Sequence, residues 1–170
     1  MEGVKLSVQK YALGLGLLAG ITRIFIDIIP KTLDFSAIAW YFTYAVAFIF
    51  EIIFIVYALK KYKKTNGSLD LGEAARIGVI IMLILGFLFT SFAYIYDNFI
   101  DPEFTMSKTL ELMESFNPEG IKEKETQFAD ANENKAKSLL GILTYTLYFV
   151  FLGAVISLIA GAALRTKESE

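Results

Sequence analysis

The sequence predicts an all-α integral membrane protein, in which a bundle of four transmembrane helices carries an extracytoplasmic helical hairpin between its third and fourth helices. Three features support this fold class. Of the 170 residues, 55% are hydrophobic and 20% are charged, whereas soluble domains carry about a quarter charged residues. The charges lie between long apolar stretches, and four stretches reach the roughly 20 residues that a helix needs to cross a bilayer. The whole chain, 1–170, is predicted to form one membrane domain.

The four predicted spans cover about 11–29, 37–59, 74–96 and 139–164. The first is expected to end at Pro30, because proline lacks the amide hydrogen that a helix interior requires. This first span resembles a secretory signal in its position only. Its apolar region is long for a signal and no small-residue cleavage site follows, so we expect it to be retained as a span.

The composition excludes many kinds of chemistry. The chain has no cysteine and no histidine, which rules out disulfides, thiolate and imidazole catalysis, and the zinc, haem and iron–sulfur sites built on those ligands. No cofactor or metal site is expected, although the composition still permits a hard cation held by carboxylates and carbonyls. No spacing of carboxylates matches a known catalytic motif, so we do not expect an enzyme. A formal net charge of −2 gives no reason to expect nucleic acid as a partner.

The distribution of Lys and Arg predicts that both termini are cytoplasmic. The short connection between the first two spans holds only Lys31. Nine other basic residues lie in the N-terminal segment, the connection between spans two and three, and the C-terminal segment: Lys5, Lys10, Lys60, Lys61, Lys63, Lys64, Arg76, Arg165 and Lys167. Trp40, Tyr41 and Tyr44 are then expected at the outer interface, where rings with one polar end settle.

Small residues at four-residue spacing mark two helix faces that permit close packing. Gly16 and Gly20 lie on one face of the first span, and Gly153, Ser157 and Gly161 form a longer stripe on the fourth. Such faces either form seams inside a helix bundle or provide a surface for dimerisation or for a partner protein. The spacing alone does not decide between these two interpretations.

Three ionisable residues fall inside the predicted spans: Arg23 and Asp27 in the first and Glu51 in the second. Arg23 and Asp27 are four residues apart, so their side chains can bond to each other on one helical face. Arg23 can also reach Glu51 if spans one and two are adjacent, as their short connection predicts. This cluster is either an intramembrane site for an anion, a lipid headgroup or a proton, or an internal ion pair that fixes helix packing.

The connection 97–138 is the one long polar segment, and two short helices are predicted within it. Its first residues include a motif, the outer-face group, that is predicted to lie at the outer face: Asp97, Asn98, Asp101, Pro102 and Glu103. These acids lack the spacing of a calcium loop, so a solvated charged cap is the expected role rather than a metal site. The first helix has apolar residues on one stripe, Met106, Leu110, Met113 and Phe116, and the second is expected to begin at 117–119. The pair would lie on the membrane surface or dock a partner.

Two motifs give the chain a resemblance to a known family. The segment 68–78 reads SLDLGEAARIG and opens the third span, and the segment 96–104 reads YDNFIDPEF and closes it. With four spans and a lysine-rich connection, this order resembles the domain of unknown function 4199 family, small bacterial membrane proteins frequent in the Bacteroidetes lineage. The connection after the third span has fewer methionines than the repeated set typical of that family. The resemblance implies location in the bacterial inner membrane and no assigned activity. Family members are often encoded near a glycosyltransferase of the polyprenyl-phosphate type, which implies a helper role.

Two functions are therefore expected from the sequence. The first is a non-enzymatic accessory or scaffolding subunit of a membrane assembly, which the resemblance links to polyprenyl-phosphate glycosyl transfer. The alternative is a small transporter, channel or lipid-handling protein that uses Arg23, Asp27 and Glu51. The expected partners are the lipid bilayer and another membrane protein or a second copy of the chain, with no nucleic acid.

Overall fold

The structure, a computed structural model, describes residues 7–116 and 139–165. Every element in these ranges is helical, which confirms the all-α class. A π-helical turn, Tyr96–Ile100, directly continues α3. The helices are α1 Val8–Thr32, α2 Ala37–Asn66, α3 Leu71–Ile95, α4 Phe104–Phe116 and α5 Leu139–Leu164. Four of them, α1, α2, α3 and α5, are long and apolar enough to cross a membrane, which indicates a multi-pass membrane protein.

Pro30 lies inside α1 and does not end it, so this prediction was wrong. A proline removes one amide donor and crowds the preceding turn, but membrane helices tolerate it where the surrounding protein compensates. The carbonyl of Pro30 still accepts a hydrogen bond from the Phe35 amide at 3.0 Å, and α1 continues to Thr32. As a result Lys31 remains helical and lies on the same face as Asp27, one turn earlier.

The lysine cluster after the second span is also helical, since α2 extends to Asn66. Gly67 then ends the helix in the left-handed conformation, with φ of 81°, which glycine adopts without steric cost. Lys63 donates from Nζ to the Leu164 carbonyl at 2.7 Å and so satisfies the C-terminal end of α5. We call this side of the molecule the lysine-rich end, and the opposite side the α4 end.

The first small-residue face packs α1 directly against α3. A methyl group added at Gly16 would lie 2.9 Å from Ile84 Cβ, and one added at Gly20 would lie 2.8 Å from Leu88 Cδ1. Both glycines are buried. This face is therefore an internal seam between two spans.

The second small-residue face packs α5 against the opposite side of α3. A methyl group at Gly153 would lie 2.7 Å from the Gly78 carbonyl oxygen, and one at Gly161 would lie 2.5 Å from Ala74 Cβ. Ser157 lies between them on the stripe and is fully buried. Because α3 receives α1 on one side and α5 on the other, it is the central helix of the described structure.

Helix α4 is fastened across the start of α2. Glu111 accepts a hydrogen bond at Oε1 from the Ala37 amide at 2.9 Å, and Lys108 Nζ lies 2.9 Å from Asp34 Oδ1. The predicted apolar stripe is not the buried face, because Phe116 is 79% exposed while Phe104 and Lys108 are buried. The predicted second helix of the hairpin lies outside the described residues.

Candidate functional site

One face of α1 carries three buried charges in a column. Arg23, Asp27 and Lys31 follow one another at four-residue spacing, so each lies about one turn, roughly 6 Å, from the next. All three are buried, with exposed fractions of 3%, 1% and 8% respectively. Buried charges in an apolar surrounding are costly unless they are paired and hydrogen-bonded. Their partners therefore decide what the column can do.

Arg23 pairs with Glu51 on α2, so the structure brings these two predicted residues together. The distance between Arg23 Nε and Glu51 Oε1 is 3.4 Å, and both side chains are buried. The guanidinium also lies over the Phe89 ring at 4.0 Å from its centre and over Tyr44 at 5.2 Å. Rings in these positions partly replace the hydration that the cation loses. The Nε and Nη1 atoms of Arg23 nevertheless make no hydrogen bond within the described ranges, 7–116 and 139–165.

Asp27 pairs with Lys31 and not with Arg23, which corrects the pairing expected from the sequence. Lys31 Nζ lies 2.9 Å from Asp27 Oδ2. This contact brings opposite charges together without a hydrogen-bonding geometry, and neither carboxylate oxygen of Asp27 has a hydrogen-bond partner among the described residues. An acid that precedes a base by four residues is the favoured order on a helix, and Glu51 already occupies Arg23.

Lys31 connects the column to the end of α3. Its Nζ lies 3.8 Å from Asp97 Oδ1 and 4.2 Å from the centre of the Tyr96 ring, with Phe104 on α4 at 5.7 Å. Asp97 is held in turn by the hydroxyl of Thr105, which donates to its Oδ1 at 3.2 Å. Lys31 is thus close to two carboxylates and is packed among aromatic rings. It is the site residue that the sequence reasoning missed.

The YDNFIDPEF segment builds this part of the site. Its π-helical turn adds a residue to the helix end, a distortion that is frequent at functional sites. Asn98 donates to the Tyr94 carbonyl at 2.8 Å, and Asp101 accepts at Oδ1 from the Phe104 amide at 3.1 Å, which starts α4. Pro102 and Glu103 are exposed and take no part in the column. Only Asp97 of the predicted outer-face group reaches the buried charges.

Trp40, which the sequence predicts to lie at the outer interface, is covered by protein in the structure. The side chain is only 2% exposed and packs edge-on against Phe104, with ring centres 5.4 Å apart. Together with Tyr96 it forms an aromatic cluster beneath α4. Helix α4 shields Trp40 from the surroundings, and this contact cannot be predicted from the second span alone.

A cavity of about 340 Å³ adjoins the charged column. Four charged residues line it: Arg23, Asp27, Lys31 and Asp97. Much of the remaining wall is aromatic and comes from α2, α3 and α5: Tyr44, Phe89, Tyr94, Tyr145, Tyr148 and Phe149. Its size falls at the lower end of the range of small-molecule sites, about 300–1,000 Å³. The charge cluster therefore borders a space, and is not sealed between packed helices.

The helix α5 forms one wall of this cavity with its first half. Thr90 on α3 holds that half in place through a hydroxyl contact with Thr146 at 3.1 Å. Tyr145 and Tyr148 line the cavity and are still more than half exposed in the described structure. Within residues 7–116 and 139–165, no group of three or more acidic residues is placed to hold a metal ion.

The comparisons with known proteins agree with the motifs of the sequence. No curated protein and no solved structure matches the chain. A match to the family described as "Protein of unknown function (DUF4199)" extends over residues 10–166 and includes the whole charged column, the π-helical turn and both small-residue faces. The chain belongs to this family of unknown function, DUF4199.

Proposed function

We propose that the protein binds a small polar ligand inside the membrane and serves in its transport or in lipid handling, without enzymatic activity of its own. One observation carries this proposal: Arg23 and Asp27 are buried on a helix long and apolar enough to cross a membrane, and both line a cavity. Two nitrogens of Arg23 and both carboxylate oxygens of Asp27 have no hydrogen-bond partner within residues 7–116 and 139–165. Ionisable groups inside a membrane protein usually face an interior or water-filled site and mark a ligand path.

The alternative role for these charges is an ion-pair lock between helices. A lock is stable when its geometry is good and further hydrogen bonds satisfy the remaining donors and acceptors. Here Arg23 Nη1 and Asp27 Oδ1 have no such bond in the described structure. The Arg23–Glu51 contact also joins only two helices, α1 and α2, whereas the cavity wall draws on all four spans. These features favour a ligand site over a lock.

The proposal is tested by what stays bound during purification. Native mass spectrometry of the protein in mild detergent should show a retained small molecule or lipid, and Arg23→Gln and Asp27→Asn should each lose it. Lys60→Gln and Glu114→Gln remove the same charges from exposed positions and should retain the bound species. If the wild type carries nothing specific and the cavity variants only lower thermal stability, the charges are a structural lock.

An accessory subunit of a membrane assembly is the second candidate function. At the α4 end, Phe99 and Phe116 are among the most exposed apolar side chains of the described structure. Exposed aromatic groups beside a polar cap suit a partner protein as well as the lipid interface. Cross-linking followed by gentle extraction tests this role. A lone monomer after cross-linking in cells would contradict it.

The location that goes with both functions is the bacterial inner membrane, with the termini in the cytoplasm. Four lysines at the end of α2, between Lys60 and Lys64, lie at the lysine-rich end beside the connection to α3. Such an excess of basic residues is typical of cytoplasmic segments. The α4 end, where the charged column meets Asp97, would then face the periplasm. A ligand would enter the column from that side or from the bilayer.

A further inference from the structure

The charges that line the cavity have both signs. Arg23 and Lys31 supply two positive charges, and Asp27 and Asp97 supply two negative charges. Glu51, which contacts Arg23 at 3.4 Å from behind the wall, adds a third negative charge, so the cluster has no excess of positive charge. A site for a simple anion would carry such an excess. A wall with charges of both signs fits a ligand that carries both charges itself.

The two ends of the column differ in how far their charges are already satisfied. Lys31 lies near two carboxylates and against the Tyr96 ring. Arg23 has one carboxylate, Glu51, placed at its Nε, and its Nη1 makes no hydrogen bond to any residue that the structure describes. Asp27 has Lys31 at its Oδ2, and its Oδ1 has no hydrogen-bond partner in the same part of the chain. Among the lining charges, Arg23 and Asp27 therefore retain bonding capacity of opposite sign.

These two groups lie about one helical turn apart, roughly 6 Å along α1. Tyrosine rings from α2, α3 and α5 line the same cavity: Tyr44, Tyr94, Tyr145 and Tyr148. Ring faces attract ammonium groups, and tyrosine hydroxyls donate to anionic oxygens. The walls therefore suit both halves of a zwitterion whose charges are separated by a short linker.

We infer that the ligand is a zwitterion, whose anionic group binds Arg23 and whose ammonium group binds Asp27 within the tyrosine-lined cavity. This inference rests on the proposed function, because it names the chemical class for the same site. Two sources share this chemistry: the headgroup of a zwitterionic lipid and a free soluble zwitterion. The exposed Tyr145 and Tyr148 bring one wall to the surface of α5, so a headgroup whose tails stay in the bilayer can reach the site.

The test uses the full chain, freed of endogenous lipid and titrated in native mass spectrometry with three probes. Short-chain phosphatidylethanolamine is zwitterionic, phosphatidylglycerol with the same chains is anionic, and glycerophosphoethanolamine is the same zwitterionic phosphodiester without chains. We expect the zwitterionic lipid to bind at least about tenfold more tightly than the anionic one, since a charged hydrogen bond contributes about that factor. Binding of glycerophosphoethanolamine as well shows that the headgroup suffices. If this soluble probe does not bind while the zwitterionic lipid does, the ligand is the lipid.

Variants separate a ligand site from a folding defect. Arg23→Gln and Asp27→Asn should each abolish the preference for the zwitterionic lipid, whereas Arg23→Lys keeps the charge and should keep part of that preference. Lys60→Gln should behave as the wild type. Equal or tighter binding of phosphatidylglycerol overturns the zwitterion inference and leaves the proposed function intact. Binding of none of the probes, with no endogenous species retained, overturns both.

Discussion

Lys31 Nζ lies 2.9 Å from Asp27 Oδ2, one turn back along α1, and the same nitrogen lies 3.8 Å from Asp97 Oδ1 beyond the end of α3. The lysine therefore connects a carboxylate inside the membrane span with one in the π-helical turn. Without this cation, Asp27 would be left as a buried carboxylate and Asp97 as a partly buried one. The position of Lys31 explains why the end of α3, α4 and the charged column form one unit.

Replacing Lys31 with methionine should destabilise the protein by about 3–5 kcal/mol, because breaking a buried ion pair leaves uncompensated charges. Lys60→Met, at an exposed position, should change the free energy of unfolding by no more than about 0.5 kcal/mol. Reversible unfolding in mixed micelles measures both. The double variant Asp27→Asn/Lys31→Met should cost less than the sum of the two single changes. Additive effects would show that the two residues are not coupled.

Gly78→Ala should destabilise the packing of α3 against α5 by about 1–3 kcal/mol. The added methyl group would overlap the Ser157 side chain and lie 2.7 Å from the Gly153 carbonyl oxygen. Gly14→Ala is the matched control, since no atom lies within 4 Å of its added methyl group and alanine favours the helix. Adding Ser157→Gly to Gly78→Ala should recover part of the loss. Equal stability of the Gly78 and Gly14 variants would contradict this seam.

Docking of α4 should depend on pH through Glu111. The hydrogen bond from the Ala37 amide, followed by the one from Lys108, holds the pKa of this carboxyl below its ordinary value. A lowered pKa means that the stabilisation is complete above the ordinary Glu pKa, about 4.3, and is lost as pH falls through the lowered value. The chain has one tryptophan, Trp40, which packs under α4. Its emission should therefore shift to the red on acidification.

Variants test whether the Glu111 carboxylate causes this red shift of Trp40 emission. Glu111→Gln keeps an oxygen for the Ala37 amide but does not titrate, so the red shift on acidification should be smaller. Adding Asp34→Asn should make the emission independent of pH, because Asp34 also pairs with Lys108. Glu114→Gln is the exposed control in the same helix and should keep the wild-type profile. An unchanged red shift in the Glu111 variant would show that the titration of another group releases α4.

The orientation can be measured with single cysteines, because the chain contains none. Ser107, on α4, and Ser68, in the connection between α2 and α3, are both exposed and lie at opposite ends of the molecule. In spheroplasts an impermeant maleimide should label Ser107→Cys, and it should label Ser68→Cys only after permeabilisation. The reverse pattern would place the termini outside the cytoplasm.

Apolar length made the four spans predictable to within a few residues, except where a helix continues through residues that resemble an end. Pro30 and the lysines after Leu59 both resemble helix ends, yet α1 and α2 pass through them. Proline removes one backbone hydrogen bond, which a membrane helix tolerates, and lysines allow a helix to continue beyond the bilayer into water. The burial of Trp40 was not predictable, because it depends on α4 packing against it from a distant part of the chain.

The charged cluster was only partly predictable, for the same reason. Arg23 and Asp27 are four apart, but so are Asp27 and Lys31, and helix spacing does not choose between these pairs. The chosen pair follows from Glu51, which occupies Arg23 from the neighbouring helix. The order of acid before base in Asp27 and Lys31 was a signal in favour of that pair. Ending α1 at Pro30 removed Lys31 from consideration.

A crystal structure grown from a lipid mesophase would test the presence of a ligand between Arg23 and Asp27. The proposed function predicts continuous density in the cavity, larger than water, with polar atoms within hydrogen-bonding distance of Arg23 Nη1 and Asp27 Oδ1. The same density should be absent in crystals of Arg23→Gln. Isolated waters that satisfy both groups, or side chains that close the cavity, would contradict a ligand site and identify the charges as a lock.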